Sequence, residues 1–227
     1  AINFERSMSE VGAVARADDE QLARLTETAR QLGATTPWAA SEAAQGMRFL
    51  SMAGFDVNQT VDAMPGMLNL ASAGAIDLGR AADIASNVLS GFGLEASQMG
   101  RLGDVLTNTF TTSNTDLGML GETMKYVAPN AAALGVSLEQ TAAMAGKLGD
   151  AGIQGSQAGT ALRAMMLRLA ALPKPAADAM AYLGVETVDA AGNLRDMPTI
   201  LAEVQESLQN LGSGEQAKMI NDIFGME

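Results

Sequence analysis

The 227-residue chain has no cysteine and no histidine. The first absence removes disulfides, thiolate nucleophiles and thiolate metal sites, and says nothing about compartment. The second removes the usual general base and the commonest zinc ligand. Positive charge is scarce too: 14 basic side chains stand against 26 acidic ones, a formal net charge of −12. Such a body repels phosphate backbones and anionic headgroups, so no specific nucleic acid is expected as a ligand. The nearest approach to a basic cluster, Arg163, Arg168 and Lys174, has spacings that scatter it around a helix. Long apolar runs are also missing. The longest charge-free stretch, Ala63 to Ile76, is 14 residues and contains Pro65 and Asn69, whereas a membrane-spanning helix needs about 20 apolar residues. The opening AINFERSMSE has no initiator methionine, basic segment or apolar signal core, and reads as part of a longer polypeptide.

What the chain does contain is punctuation. GFDVNQ at Gly54 returns as GLEASQ at Gly93 and as GVSLEQ at Gly135. Each glycine follows an apolar run and precedes a large apolar residue, the pattern of a helix stopped by a left-handed glycine. Two residues on stands Asp56, Glu95 or Ser137, with Gln59, Gln98 or Gln140 three further. Asp/Ser-x-x-Gln is a capping box, so the six residues join a helix stop to a helix start. Glu95 is the weakest of the three caps. A second glycine, Gly79, Gly118 or Gly159, recurs about 25 residues later, twice inside Asp-Leu-Gly. Asp77 and Asp116 then start a second helix, and the glycine behind each predicts close backbone approach between packed helices.

The expected fold is therefore all-α: stacked helical hairpins in an irregular repeat of about 40 residues, with no pair able to bury its apolar face alone. Residues 54–172 hold three hairpins. Residues 1–53 are an N-terminal helix pair, with a long helix to Leu32, a stop at Gly33 and a second helix from about Trp38. Leu22, Leu25, Ala29 and Leu32 share one face of the first helix, opposite Arg24, Glu27, Arg30 and Gln31. In residues 173–227, apolar alternation around Asp189–Asn193 predicts a small β-hairpin, followed by helices from about Pro198 to Leu211 and from Glu215 to Phe224. Together these are read as one compact module. The 15 methionines, including Met165-Met166, are read as deformable core.

Chemistry is sparse. GIQGSQAG, Gly152 to Gly159, is glycine-rich before a helix but lacks the spacing and the Gly-Lys-Ser/Thr ending of a phosphate loop, so it reads as a turn. Asp189, Asn193 and Asp196 lack the ligand alternation and closing glutamate of a calcium loop. Asp18, Asp19 and Glu20 read as a solvated first turn. No short motif marks a glycosidase carboxylate pair. Lys125, Lys147, Lys174 and Lys218 have no Ser-x-x-Lys partner. No enzyme is expected, and catalytic residues, metal ligands and cofactors are each set at none.

FERSM, LTETARQLGATTPWAASEAAQGMRFLSMAGF, KYVAPNAAALGVSLEQTAAMAGKLGDAGIQGSQAGTALR and YLGVETVDAAGNLRDM, in that order, resemble the conserved core region of bacteriophage tail tape measure proteins. The likeness runs from about Phe4 to Phe224. AGIQGSQAGTALR followed by LGV and D-x-x-G-N-L is its most specific part. Ala39 departs from it, because relatives often carry a capping serine there, against Glu42. The resemblance implies a structural virion protein acting in tail assembly, tail length determination and genome ejection. It implies contact with tail tube and tail-tip or baseplate proteins, a tail assembly chaperone, and further copies around the tail axis. It places the chain in the virion tail, and in host cytoplasm during assembly. A membrane-active module for genome delivery is the other reading, since small residues such as Gly155-x-x-x-Gly159 suit helices that reinsert into a host membrane.

Overall fold

The computed structural model describes residues 2–225. The recurring glycines end helices as their context dictates: Gly54, Gly93 and Gly135 take positive φ of 96°, 64° and 74°. The amides of the apolar residues behind them, Phe55, Leu94 and Val136, donate back to the carbonyls of Leu50, Leu89 and Ala131 at 3.1, 2.8 and 2.8 Å. That six-to-one bond satisfies carbonyls a helix end otherwise leaves unpaired. The following caps also form. Asp56 and Ser137 accept from the amides of Gln59 and Gln140 at 2.9 and 3.2 Å, and each glutamine accepts in return from the cap's own amide. Glu95 makes no such side-chain bond, and the chain runs through a short 3-10 turn, Ala96–Gln98, before α6 begins.

Twelve α-helices result among the described residues, without a strand. They are α1 (Ile2–Ala15), α2 (Asp19–Thr35), α3 (Ala40–Met52), α4 (Val57–Gly74), α5 (Leu78–Phe92) and α6 (Met99–Thr112), then α7 (Leu117–Ala133), α8 (Leu138–Asp150), α9 (Gly155–Ala170), α10 (Lys174–Leu183), α11 (Met197–Leu208) and α12 (Ser213–Phe224). Asp77 and Asp116 cap α5 and α7 through the amides of Arg80 and Met119. Helices of odd number from α1 to α9 lie side by side in one row and those of even number from α2 to α8 in a second, with α11 against α8 and α12 against α9. One apolar cluster runs between the rows from Met8 to Ile223. Met47, Met64, Met67, Met99, Met124 and Met166 are wholly buried in it, as the core reading of the methionines expects.

Three features differ from the sequence reading. Residues 2–52 form three helices, since α1 is a separate helix broken from α2 at Arg16, a non-glycine residue with φ 52°. Gly33 does not stop α2, which continues to Thr35; a Cβ there would lie 2.6 Å from the Ala40 amide nitrogen, so this glycine serves the entry of α3. The expected β-hairpin is absent as paired strands. Only one antiparallel bridge joins Val188 and Leu194. The reason is local: the Asp189 carboxylate takes the amides of Ala191 and Asn193, both at 2.9 Å, and Asp196 already caps α11. Too little backbone remains between the ends of α10 and α11 for a ladder.

Close approach holds at Gly159, where a Cβ would sit 2.6 Å from the Thr123 carbonyl oxygen of α7. Gly79 and Gly118 instead face the far ends of Phe49 and Arg80.

Candidate functional site

The fold disperses every group the sequence offered as a reactive centre. Gly152 closes α8 with φ 84°, and Gly155 opens α9 with its carbonyl accepting from Thr123 Oγ1 at 3.0 Å. The glycine-rich stretch is thus a turn followed by a helix packed on α7. Asp189 spends both carboxylate oxygens on its own loop, whose amides hold it below the usual carboxylate range, Asn193 foremost. Asp196 faces away from that task, accepting from Thr199 and from Gln140 of α8. Asp18 caps α2, with Asp19 and Glu20 exposed in its first turn. Among the described residues, no three acidic side chains converge as metal ligands.

The basic residues separate as their spacing dictates. Arg163 is exposed. Lys174 pairs with Asp178 at 3.1 Å one helical turn away. Arg168 was not foreseen in its role: its Nε and Nη2 donate to the carbonyls of Ile223 and Asp222 at 2.6 and 3.0 Å. A fixed cation at the carbonyl end of α12 satisfies unpaired acceptors and opposes the helix dipole, fastening α12 to α9.

Polar ties also link successive helices of the even-numbered row. Arg24 of α2 donates to Asn58 of α4. Arg101 of α6 grips Glu139 of α8 with Nε and Nη2 at 2.7 and 2.8 Å. Arg24 stands six residues past the α2 cap Asp18, and Arg101 six past Glu95, which starts the 3-10 turn leading into α6; each partner stands two past its own helix cap, Asp56 or Ser137. The forked geometry lowers the Glu139 pKa, chiefly through the arginine hydrogen bonds and against some desolvation. The sign of its contribution follows: with the folded pKa depressed, stability is full above the ordinary glutamate value of 4.5 and is lost as pH falls through the lowered one. Glu139→Gln cannot titrate there. The difference in melting temperature between wild type and Glu139→Gln is therefore expected to be small, constant from neutral pH down to about pH 5, and to shrink progressively as pH falls further. Melts of both proteins in parallel buffers check this, with the difference isolating the pair from the relief of the net negative charge.

The remaining features are surfaces. A groove of about 530 Å³ between α6 and α8 is lined by Asp104, Asn108, Thr112, Ser113, Glu139 and Lys147 among others, with its polar groups facing solvent. Met52 and Tyr182, each 61% exposed, are the most open large apolar side chains among the described residues. No described helix is long and apolar enough to cross a membrane. Taken together, the geometry is that of packing and polar fastening between helices.

Comparison with known proteins agrees with the resemblance in the sequence. The family model described as phage-related minor tail protein matches residues 26–225. A tape measure protein of Pneumococcus phage Dp-1 is 41% identical over 222 residues, covering 98% of this chain and 19% of that protein. A probable tape measure protein of Escherichia phage P2 is 39% identical over 228 residues, covering 99% of this chain and 28% of its own length. The chain thus spans about a fifth of the length of the first relative and somewhat over a quarter of the second. No solved structure matches it. With a family match that covers most of the described helices and two relatives alike over nearly the whole chain, the protein belongs to the phage-related minor tail protein family.

Proposed function

We propose that this chain is a structural, non-enzymatic module of a tail tape measure protein, acting in tail assembly, tail length determination and genome ejection from a docked position at the tail tip or baseplate. One observation carries the reading: the chain is folded back on itself. As a single straight helix, 227 residues would reach about 340 Å. The longest described helix has 18 residues, or about 27 Å. Packed in two rows, the segment has an expected width of about 45 Å. A ruler must be extended, so the length-setting part lies elsewhere in the longer polypeptide and this segment anchors it.

Within the module, α4–α9 are read as three copies of one hairpin unit over residues 54–172, between an N-terminal part, 1–53, and a C-terminal part, 173–227. Tail tube and tip proteins, an assembly chaperone and copies of the chain around the tail axis are the proposed partners, in the virion and in host cytoplasm during assembly. The membrane-active alternative loses its main support, because the Gly155/Gly159 face is already packed on α7, Gly159 against the Thr123 carbonyl and Gly155 against the Met119 side chain. Antibody-gold labelling of this segment in intact tails, opened at the tip, tests the proposal. Gold is expected at one end of the tail; gold spaced along the tube would overturn it.

A further inference from the structure

The surface grooves differ in charge. Those between α6 and α8, α1 and α2, and α10 and α12 each include ionised side chains, such as Asp104, Arg30 and Lys174. The groove between α11 and α12 includes none. Its walls are Leu201, Val204 and Leu208 on one side and Ile220 and Phe224 on the other, rimmed by glutamines, and it encloses about 440 Å³. Ile220 is 45% exposed there. α11 and α12 barely touch one another, and the described helices that pack on them, α8, α9 and α10, line no part of this groove, whereas every earlier pair from α2–α3 to α6–α7 is covered by the next. In a stacked-helix array such an end face needs a cap.

We propose that a further helix of the same, longer polypeptide seats in this groove and closes the stack. The inference rests on reading the segment as part of a longer tape measure protein. The groove chemistry sets the ligand class: an amphipathic helix laying aliphatic side chains at i, i+3 or i+4 and i+7 into an uncharged trough. An interface core depleted of charge needs no counter-ion from its partner. The relatives name the source, since this segment is 19% and 28% of their lengths. Phe224, at the end of α12, is itself part of the wall, so polypeptide joined there is held at high effective concentration beside the groove.

The segment contains no cysteine, which permits a direct test. A thiol introduced by Ile220→Cys is labelled with a maleimide in the isolated segment and in the full-length polypeptide at equal dilution, and the modified peptide is followed by mass spectrometry. Leu201→Cys, on the opposite wall, is the second probe, and Met52→Cys, outside the groove, is the reference. Labelling at 220 and 201 is expected to be at least about tenfold slower in the full-length chain, with 52 unchanged. Equal rates at 220 and 201 in the two forms overturn the proposal. So does protection that appears only at high concentration, which assigns the groove to a second copy, or only in assembled tails, which assigns it to another tail protein. The gold-labelled position in the tail is independent of all three outcomes, so failure here leaves the anchoring reading standing or falling on its own evidence.

Discussion

Gly159→Val is expected to lose about 3 kcal/mol of stability, at the upper end for overpacking, and to lower the melting temperature by about 6–12 °C. The magnitude follows from what the new side chain meets. At position 159 a Cβ alone lies 2.6 Å from the Thr123 carbonyl oxygen and 2.7 Å from Tyr126 Cβ. Neither is the end of a flexible side chain, so α9 must move off α7 as a body, breaking the most intimate helix pairing in the stack and the hydrogen bond from Thr123 Oγ1 to Gly155. Valine adds a β-branched restriction within a helix, a lesser cost. Gly100→Ala is the control. It too lies in a helix, but no neighbour stands within 4 Å of its Cβ, so the change is expected to raise stability by about 0.5–1 kcal/mol through helix propensity. Thermal melts followed by far-ultraviolet circular dichroism distinguish the pair; a Gly159→Val melt within a degree or two of wild type would show that α9 moves off α7 without cost.

These two glycines show what could be read from the sequence. A glycine followed by an apolar residue and an Asp/Ser-x-x-Gln box has one local explanation, and Gly54, Gly93 and Gly135 all behave accordingly. A glycine without that company is ambiguous, because close approach and helix stop leave the same letter. Gly33 lies near the end of an amphipathic run, yet it is the neighbouring α3 that requires it. The separation of α1 from α2 turns on Arg16 in a left-handed conformation, which no residue type announces. The lost hairpin is a competition: alternating Val185 and Thr187 are both buried as a strand face would be, but the Asx turn at Asp189 and the cap at Asp196 consume the backbone the ladder needed. Long-range ties were the least legible. Arg168 and Ile223 are far apart in sequence, and only the fold makes the one the cap of the other. The caps were more legible: Asp56, Asp77 and Asp196 start helices, while Glu139 pairs with an arginine 38 positions away that no local pattern announces.

Leu120→Ala is expected to cost about 3 kcal/mol, and its damage to spread farther than that of an equal truncation at the end of the stack. Leu120 is 1% exposed on α7, the helix that touches α5, α6, α8 and α9. Removing its three terminal carbons forfeits their burial and leaves a cavity between rows whose backbone contacts limit collapse. In an array where each helix depends on its neighbours, loss at a central position weakens the interfaces on both sides, so the whole melt shifts downward by about 6–12 °C. Ile223→Ala removes a wholly buried side chain of similar size from α12, but α12 meets the stack chiefly through α9 and α10. Hydrogen exchange read by mass spectrometry separates the two: the first variant should accelerate exchange from α5 through α9, the second only in α10–α12. Uniform acceleration by both would mean that the C-terminal helices unfold only together with the stack. Confined acceleration by Ile223→Ala would mean that the two polar fastenings, Arg168 on α12 and Gln140 on Asp196, hold a separable cap.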